Sequence, residues 1–145
     1  MKSTPKTKRI IFDAGKNENL LVFGIVSAEP DYKLSLALNR KMGISLRNTD
    51  PLCISEDSVN ELSFSRFRAT GKTGEVLYEL VSNRSGSQFL LKKLKNIDFF
   101  LKVNLPQGSA GAEISARLKQ TEAVSAVFII DKDTLNDKNL HYLIQ

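Results

Sequence analysis

The chain has one cysteine, one histidine and no tryptophan among its 145 residues. With Cys53 as the single thiol, no intrachain disulfide can form. Secreted domains of this size usually carry several, so a reducing, cytoplasmic setting is expected. Cys53 and His141 together fall short of the nitrogen and sulfur ligands a zinc site requires, and no cofactor is expected. A nucleophilic thiol needs a base beside it, and the one histidine lies near the end of the sequence, so Cys53 is read as a buried small hydrophobe. No stretch approaches the ~20 apolar residues of a membrane span, so a membrane protein is not expected. Prolines (four) and glycines (eight) are scattered and make no linker that would split the chain. Internal repeats and low-complexity tracts are absent as well.

What is present suits one globule. The residues are 41% hydrophobic and 26% charged, and a chain of this length can bury roughly 70% of its unfolded surface without a metal or disulfide. The expected organisation is a mobile basic arm over residues 1–9 and a single domain over 10–145. The formal charge of +5 is unevenly spread. Lys2, Lys6, Lys8 and Arg9 make the first residues basic. Asp50, Glu56, Asp57 and Glu61 make the stretch 50–61 acidic. Arg84, Lys92, Lys93, Lys95 and Lys102 stand against Asp98 alone in 84–102.

The basic start, the apolar run Leu20 to Val26 and the sequence Val26-Ser27-Ala28 imitate a secretory signal. Asp13, Glu18 and Gly24 argue against it, and a buried central strand over 20–27 is the expectation. Pro30 and Asp31 open a helix, Leu34, Ala37, Leu38 and Met42 supply its apolar stripe, and Gly43 stops it. Leu36 lies off that stripe. A polar, acidic loop then leads to strands over 62–70 and 75–82, joined by a hairpin turn at Gly71 to Gly74. Phe64 and Phe67, three apart, indicate a bulge or two buried faces. A turn at 83–86 and a short strand at 88–91 follow.

Ile97, Phe99, Leu101 and Val103 alternate with Asp98, Phe100, Lys102 and Asn104, which predicts a strand. A second helix is expected over 110–120, capped by Ser109, with Ile114 and Leu118 inward. Val124 to Ile130 is apolar on both faces and is placed centrally in the sheet. Residues 140–144 are expected as a short edge strand. The fold class is α+β: a mostly antiparallel sheet of about five to seven strands with two helices packed on one face.

Apparent chemical motifs dissolve on inspection. Ala69 to Val76 mimics a phosphate-binding loop, yet Arg66 occupies the required upstream glycine position and a strand follows instead of a helix. Asp131, Asp133 and Asp137 mimic a calcium loop, but Leu135 stands where an oxygen ligand is needed and Asn136 replaces the turn glycine. Glu56 and Asp57 sit in a polar loop with no apolar pocket to raise a carboxyl pKa.

In order and spacing, FGIVS, YKLSLALNRKMGISL, SFSRF, LYELVSNRSG, LLKKLKNIDFFLKV and AVSAVFIID with TLNDKNL resemble the bacterial family named for its IPExxxVDY motif. The likeness runs from about Leu21 to Leu140. Ile97-Asp98-Phe99 stands for the VDY portion without the tyrosine hydroxyl, and Leu91-Lys92-Lys93 stands where that family has Ile-Pro-Glu. The resemblance implies a compact domain of the bacterial cytoplasm and carries no activity, cofactor or catalytic residue.

The expected function is therefore binding to another protein, self or heterologous, without catalysis. Lys92, Lys93, Lys95, Asp98 and Lys102 form the candidate interaction surface. The alternative is a nucleic-acid accessory protein using the 92–102 segment and the basic arm, with Phe89, Phe99 and Phe100 as neighbouring rings.

Overall fold

The apolar run that imitated a signal forms strand β1, Leu20–Val26. In the computed structural model, which describes residues 20–55, 61–71, 76–105 and 111–144, β1 lies inside a six-stranded sheet. Its companions are β2 (Arg47–Ser55), β3 (Glu61–Thr70), β4 (Val76–Ser82), β7 (Phe99–Asn104) and β8 (Ala126–Ile129). The order across the sheet is β2-β3-β4-β7-β1-β8, and each neighbouring pair is antiparallel. Two-residue strands β5 (Arg84–Ser85) and β6 (Gln88–Phe89) make a separate ribbon. The basic arm, Ser109 and most of the turn at 71–74 lie outside the described residues.

Helix α1 spans Asp31–Met42. Asp31 sits in its first turn, and Arg40 and Lys41 in its last, as the macrodipole favours. Gly43 ends it in the left-handed region (φ 67°), where its N–H donates to the Asn39 carbonyl at 2.9 Å. The Asn39 side chain then accepts the Leu46 N–H at 2.7 Å and donates to the Leu46 carbonyl, which aims the chain into β2. Helix α2 spans Ala112–Lys119. Both helices pack on one face of the sheet, where Leu34, Leu38, Met42, Ile114 and Leu118 meet Phe23, Ile25, Phe67, Leu80, Phe99 and Leu101.

The opposite face holds a second core. Val22, Phe64, Val81 and Phe100 pack under Leu90, Leu91 and Ile97, with Leu140 and Leu143 from a short helix α3, Leu140–Ile144. This second cover explains why β1 is apolar on both faces and why Phe100 of β7 is buried. It also resolves the spacing of Phe64 and Phe67: they belong to opposite cores. Asn83 builds the cover. Its side chain donates to the carbonyls of Leu94 and Ile97 at 3.0 and 2.9 Å and accepts the Leu91 N–H at 2.8 Å. Ile97 in turn presses on β1 where Gly24 leaves room, since a Cβ there would meet Ile97 Cδ1 at 3.0 Å.

Several expectations require correction. The polar stretch after α1 contains a strand, β2, despite Pro51. Val124 to Ile130 is not central: among the described residues β8 is an edge strand, paired with β1 alone. Residues 140–144 form a helix, because their apolar side chains turn together onto the second core. The strand expected at 88–91 is only the two-residue β6, since Leu90 and Leu91 turn into the core. Ile97 precedes the strand and faces the core opposite to Phe99. Cys53 is exposed, on an edge strand whose outer side nothing covers among the described residues.

Candidate functional site

The five residues expected at one surface part company. Lys92, Lys93 and Lys95 are exposed on and just after a 3-10 turn at Lys92–Leu94. Asp98 is a structural acceptor: its Oδ2 takes the Ser27 N–H at 2.9 Å and its Oδ1 takes Arg84 Nε at 3.0 Å. Arg84 and Lys95 both stand over the Phe89 ring, at 5.0 and 5.9 Å from its centroid. Phe99 and Phe100 are buried, which removes two of the three rings considered for base stacking. Lys102 departs furthest from expectation. It is 8% exposed, on the central strand β7 beneath the second face.

What buries Lys102 is a charged row made by strand register. Arg47 lies opposite Arg68, Arg68 opposite Glu79, and Glu79 opposite Lys102, across β2, β3, β4 and β7. Residues directly opposite in antiparallel strands project to the same side, so these groups meet on one face. Lys102 Nζ bonds Glu79 Oε1 at 2.8 Å, and Arg68 Nε donates to Glu79 Oε2 at 2.7 Å. Arg66 Nε lies 3.8 Å from the same Oε2 and donates to the Asp50 carbonyl at 2.9 Å.

Burial pushes the Glu79 carboxyl toward the neutral form. The hydrogen bonds and charges of Lys102 and Arg68 outweigh it, so its pKa falls below the usual carboxylate value. A cleft of about 210 Å³ opens beside the row, lined by Arg68, Val76, Glu79, Lys102 and Asn104.

The second feature is the β8 edge. Ile130 donates its N–H to the Val22 carbonyl at 2.9 Å. Antiparallel alternation then turns the backbone groups of Val127 and Ile129 away from β1, toward the open side. No charged residue occurs from Ala123 to Ile130. Phe128 is 47% and Ile129 69% exposed. Alongside runs a cleft of about 400 Å³ with Leu94, Ile97, Phe128, Ile130 and Leu135 among its walls. The other sheet edge differs in kind. β2 carries Arg47, Asp50 and Pro51, and its pairing with β3 is interrupted between Thr49 and Leu52. Charge, proline and irregular register all discourage strand addition.

Neither feature was visible as a local motif. Arg66, Arg68 and Glu79 lie on strands whose register must be known before they meet, and β8 reads as a central strand because its residues are apolar throughout. Among the described residues no group of three or more His, Cys, Asp or Glu side chains is placed to hold a metal ion, and no helix is long and apolar enough to cross a membrane. No protein-family model matches the chain, and no curated protein is significantly similar to it.

Proposed function

We propose that this chain is a non-enzymatic binding domain of the cytoplasm whose partner is a protein, supplying an extended strand to the β8 edge. The observation that carries the reading is the contrast between the two ends of the sheet. β2 is blunted by charge, Pro51 and a register break, whereas β8 offers outward backbone groups, exposed Phe128 and Ile129, and no charge. Strand addition takes its affinity from main-chain hydrogen bonds and its selectivity from pockets for alternate side chains. The cleft beside Phe128 and Ile130, walled by Leu94, Ile97 and Leu135, is such a pocket for an apolar side chain. The partner strand is accordingly apolar at alternate positions, and it comes from another protein or a second copy.

The test compares the full-length wild type with Ile129→Lys, a charge on the open edge. Sedimentation reports self-association, and affinity capture from the native cell reports other partners. The reading expects a reproducible protein complex with the wild type that Ile129→Lys abolishes. Recovery of the same complex by both chains, or of none by either, refutes it.

A further inference from the structure

We infer that the strand received by the β8 edge is β8 of a second copy of this chain, paired antiparallel about a twofold axis at Phe128; this rests on the strand-addition reading and names its partner. The first ground is register. β8 sets Ala126, Val127, Phe128 and Ile129 against Val26, Ile25, Gly24 and Phe23 of β1, and the Ile130 N–H is given to Val22. Alternation therefore leaves the backbone groups of Val127 and Ile129 on the outer side. With Phe128 opposite Phe128, Val127 of each copy lies opposite Ile129 of the other, and every outward N–H and C=O of the strand gains a partner. Neighbouring registers do worse. An axis at Val127 sets Ile129 against Ser125, whose N–H is already given to the Val26 carbonyl at 2.8 Å. An axis at Ile129 sets Val127 against the charged Asp131.

The second ground is the fit of side chains on both faces. On the helix side, half-buried Val127 packs on the first core, and Ile129 of the other copy would lie beside it. Ile129 is 69% exposed in the single chain. On the other side the two Phe128 rings meet in the close, non-hydrogen-bonded pair, and each can lean into the cleft of about 400 Å³ walled by Leu94, Ile97 and Leu135. Ala126 falls opposite Ile130. No charged residue occurs from Ala123 to Ile130, so neither copy brings a charge into the contact.

The third ground is what remains at the margins. A lone strand laid on β8 would present its own unpaired outer side. A second copy instead merges two sheets into one whose outer strands are both β2, the edge already blunted by charge, Pro51 and the register break between Thr49 and Leu52. The contact is isologous, so it closes as a dimer and does not propagate into a fibre.

The experiment uses the full chain. Sedimentation from micromolar to millimolar concentration should show the wild type reaching twice the chain mass. Ile129→Lys should stay at the chain mass throughout, with its thermal unfolding confirming that it is folded. In a Cys53→Ser background, Phe128→Cys and Ile129→Cys are then oxidised with copper phenanthroline. A non-hydrogen-bonded pair holds its Cα atoms about 4.5 Å apart, within the span of a disulfide, whereas the two copies of residue 129 lie diagonally and beyond it. Phe128→Cys should therefore form a covalent dimer tenfold or more faster than Ile129→Cys, although Ile129 is the more exposed and random collision would favour it. A wild type that stays monomeric, a dimer that survives Ile129→Lys, or faster cross-linking of Ile129→Cys each refutes the pairing. A monomer that still captures another protein, lost in Ile129→Lys, refutes the second copy alone. A monomer that captures none refutes strand addition as well.

Discussion

Asn83 and Asn139 grip adjacent residues of one segment from opposite sides: Asn83 Oδ1 accepts the Leu91 N–H at 2.8 Å, and Asn139 Nδ2 donates to the Leu90 carbonyl at 2.9 Å. The first residue directly follows β4 and the second directly precedes α3. The cover of the second core is thus pinned to the sheet and to the C-terminal helix through a pair of amides. Both asparagines are buried, so neither bond is shared with bulk water.

Replacing Asn83 with alanine takes the side-chain partner from the Ile97 carbonyl and the Leu91 N–H in the interior, and leaves the Leu94 carbonyl with the Ile97 N–H alone. At about 1–3 kcal/mol for an unsatisfied buried group, and with partial relaxation, the loss should be about 3 kcal/mol. Asn83→Asp should not rescue it, since a carboxylate accepts from Leu91 but cannot donate to Leu94 and Ile97. Urea unfolding measures the loss. Native-state hydrogen exchange should show the segment 84–97 opening before the sheet.

Glu79 predicts a pH dependence of definite sign. Its folded-state pKa lies below the ordinary 4.5. The stability it contributes is therefore full above that value and is lost as pH falls through the lower folded-state value. Glu79→Gln removes the buried carboxylate that Lys102 and Arg68 both bind, so at neutral pH it should cost about 3–5 kcal/mol. That gap should narrow as pH drops below 4.5, because the wild type loses its carboxylate and the variant has none to lose. Denaturant titrations of both chains from pH 7 to 3 give the two curves.

The basic residues of 92–102 should divide sharply on substitution. Lys92, Lys93 and Lys95 are exposed, and converting each to alanine should change stability by no more than about 0.5 kcal/mol. Lys102→Ala instead takes the hydrogen bond from Oε1 of the buried Glu79 carboxylate, which keeps Arg68 on Oε2, and should cost about 1–3 kcal/mol. Equal effects in thermal unfolding would contradict the buried placement of Lys102.

A similar contrast separates core from edge among the aromatic and aliphatic residues. Phe100 is fully buried, and Phe100→Ala should cost about 3–5 kcal/mol. Ile129→Lys alters a side chain that is 69% exposed, and should leave unfolding of the isolated chain within about 0.5 kcal/mol of wild type. Its effect is expected on association alone, which chemical denaturation at low protein concentration can separate from folding.

The reading of helix α1 from Pro30, the Leu34-Leu38-Met42 stripe and Gly43 needs no tertiary information, and the structure agrees with it nearly residue for residue. β7 was legible for the same reason, since alternation is a property of neighbours. β2 was not: RNTDPLCIS has a proline at its centre and a polar first half, and only pairing with β3 makes it a strand. LHYLI is too short for periodicity to separate strand from helix, and docking on the second core decides it. The charged row was the hardest feature to foresee. A symmetric four-residue turn at 71–74 would set Arg68 opposite Leu77, and the observed register shift near Thr70 moves Glu79 there instead. Local density drew attention to Lys92, Lys93 and Lys95, while the clustered charges come from residues far apart along the chain.

The place of β1 has a consequence for synthesis. It pairs with β7 and β8, both made much later, so LLVFGIV leaves the peptidyl-transferase centre long before either neighbour exists. At about 5–20 residues per second, the wait from Val26 to Asn104 is roughly 4–16 s. Throughout that interval the most water-averse heptapeptide of the nascent chain is without a sheet to join. Chaperone demand during translation should accordingly fall on this heptapeptide and end only when the segment around Phe100 has been delivered.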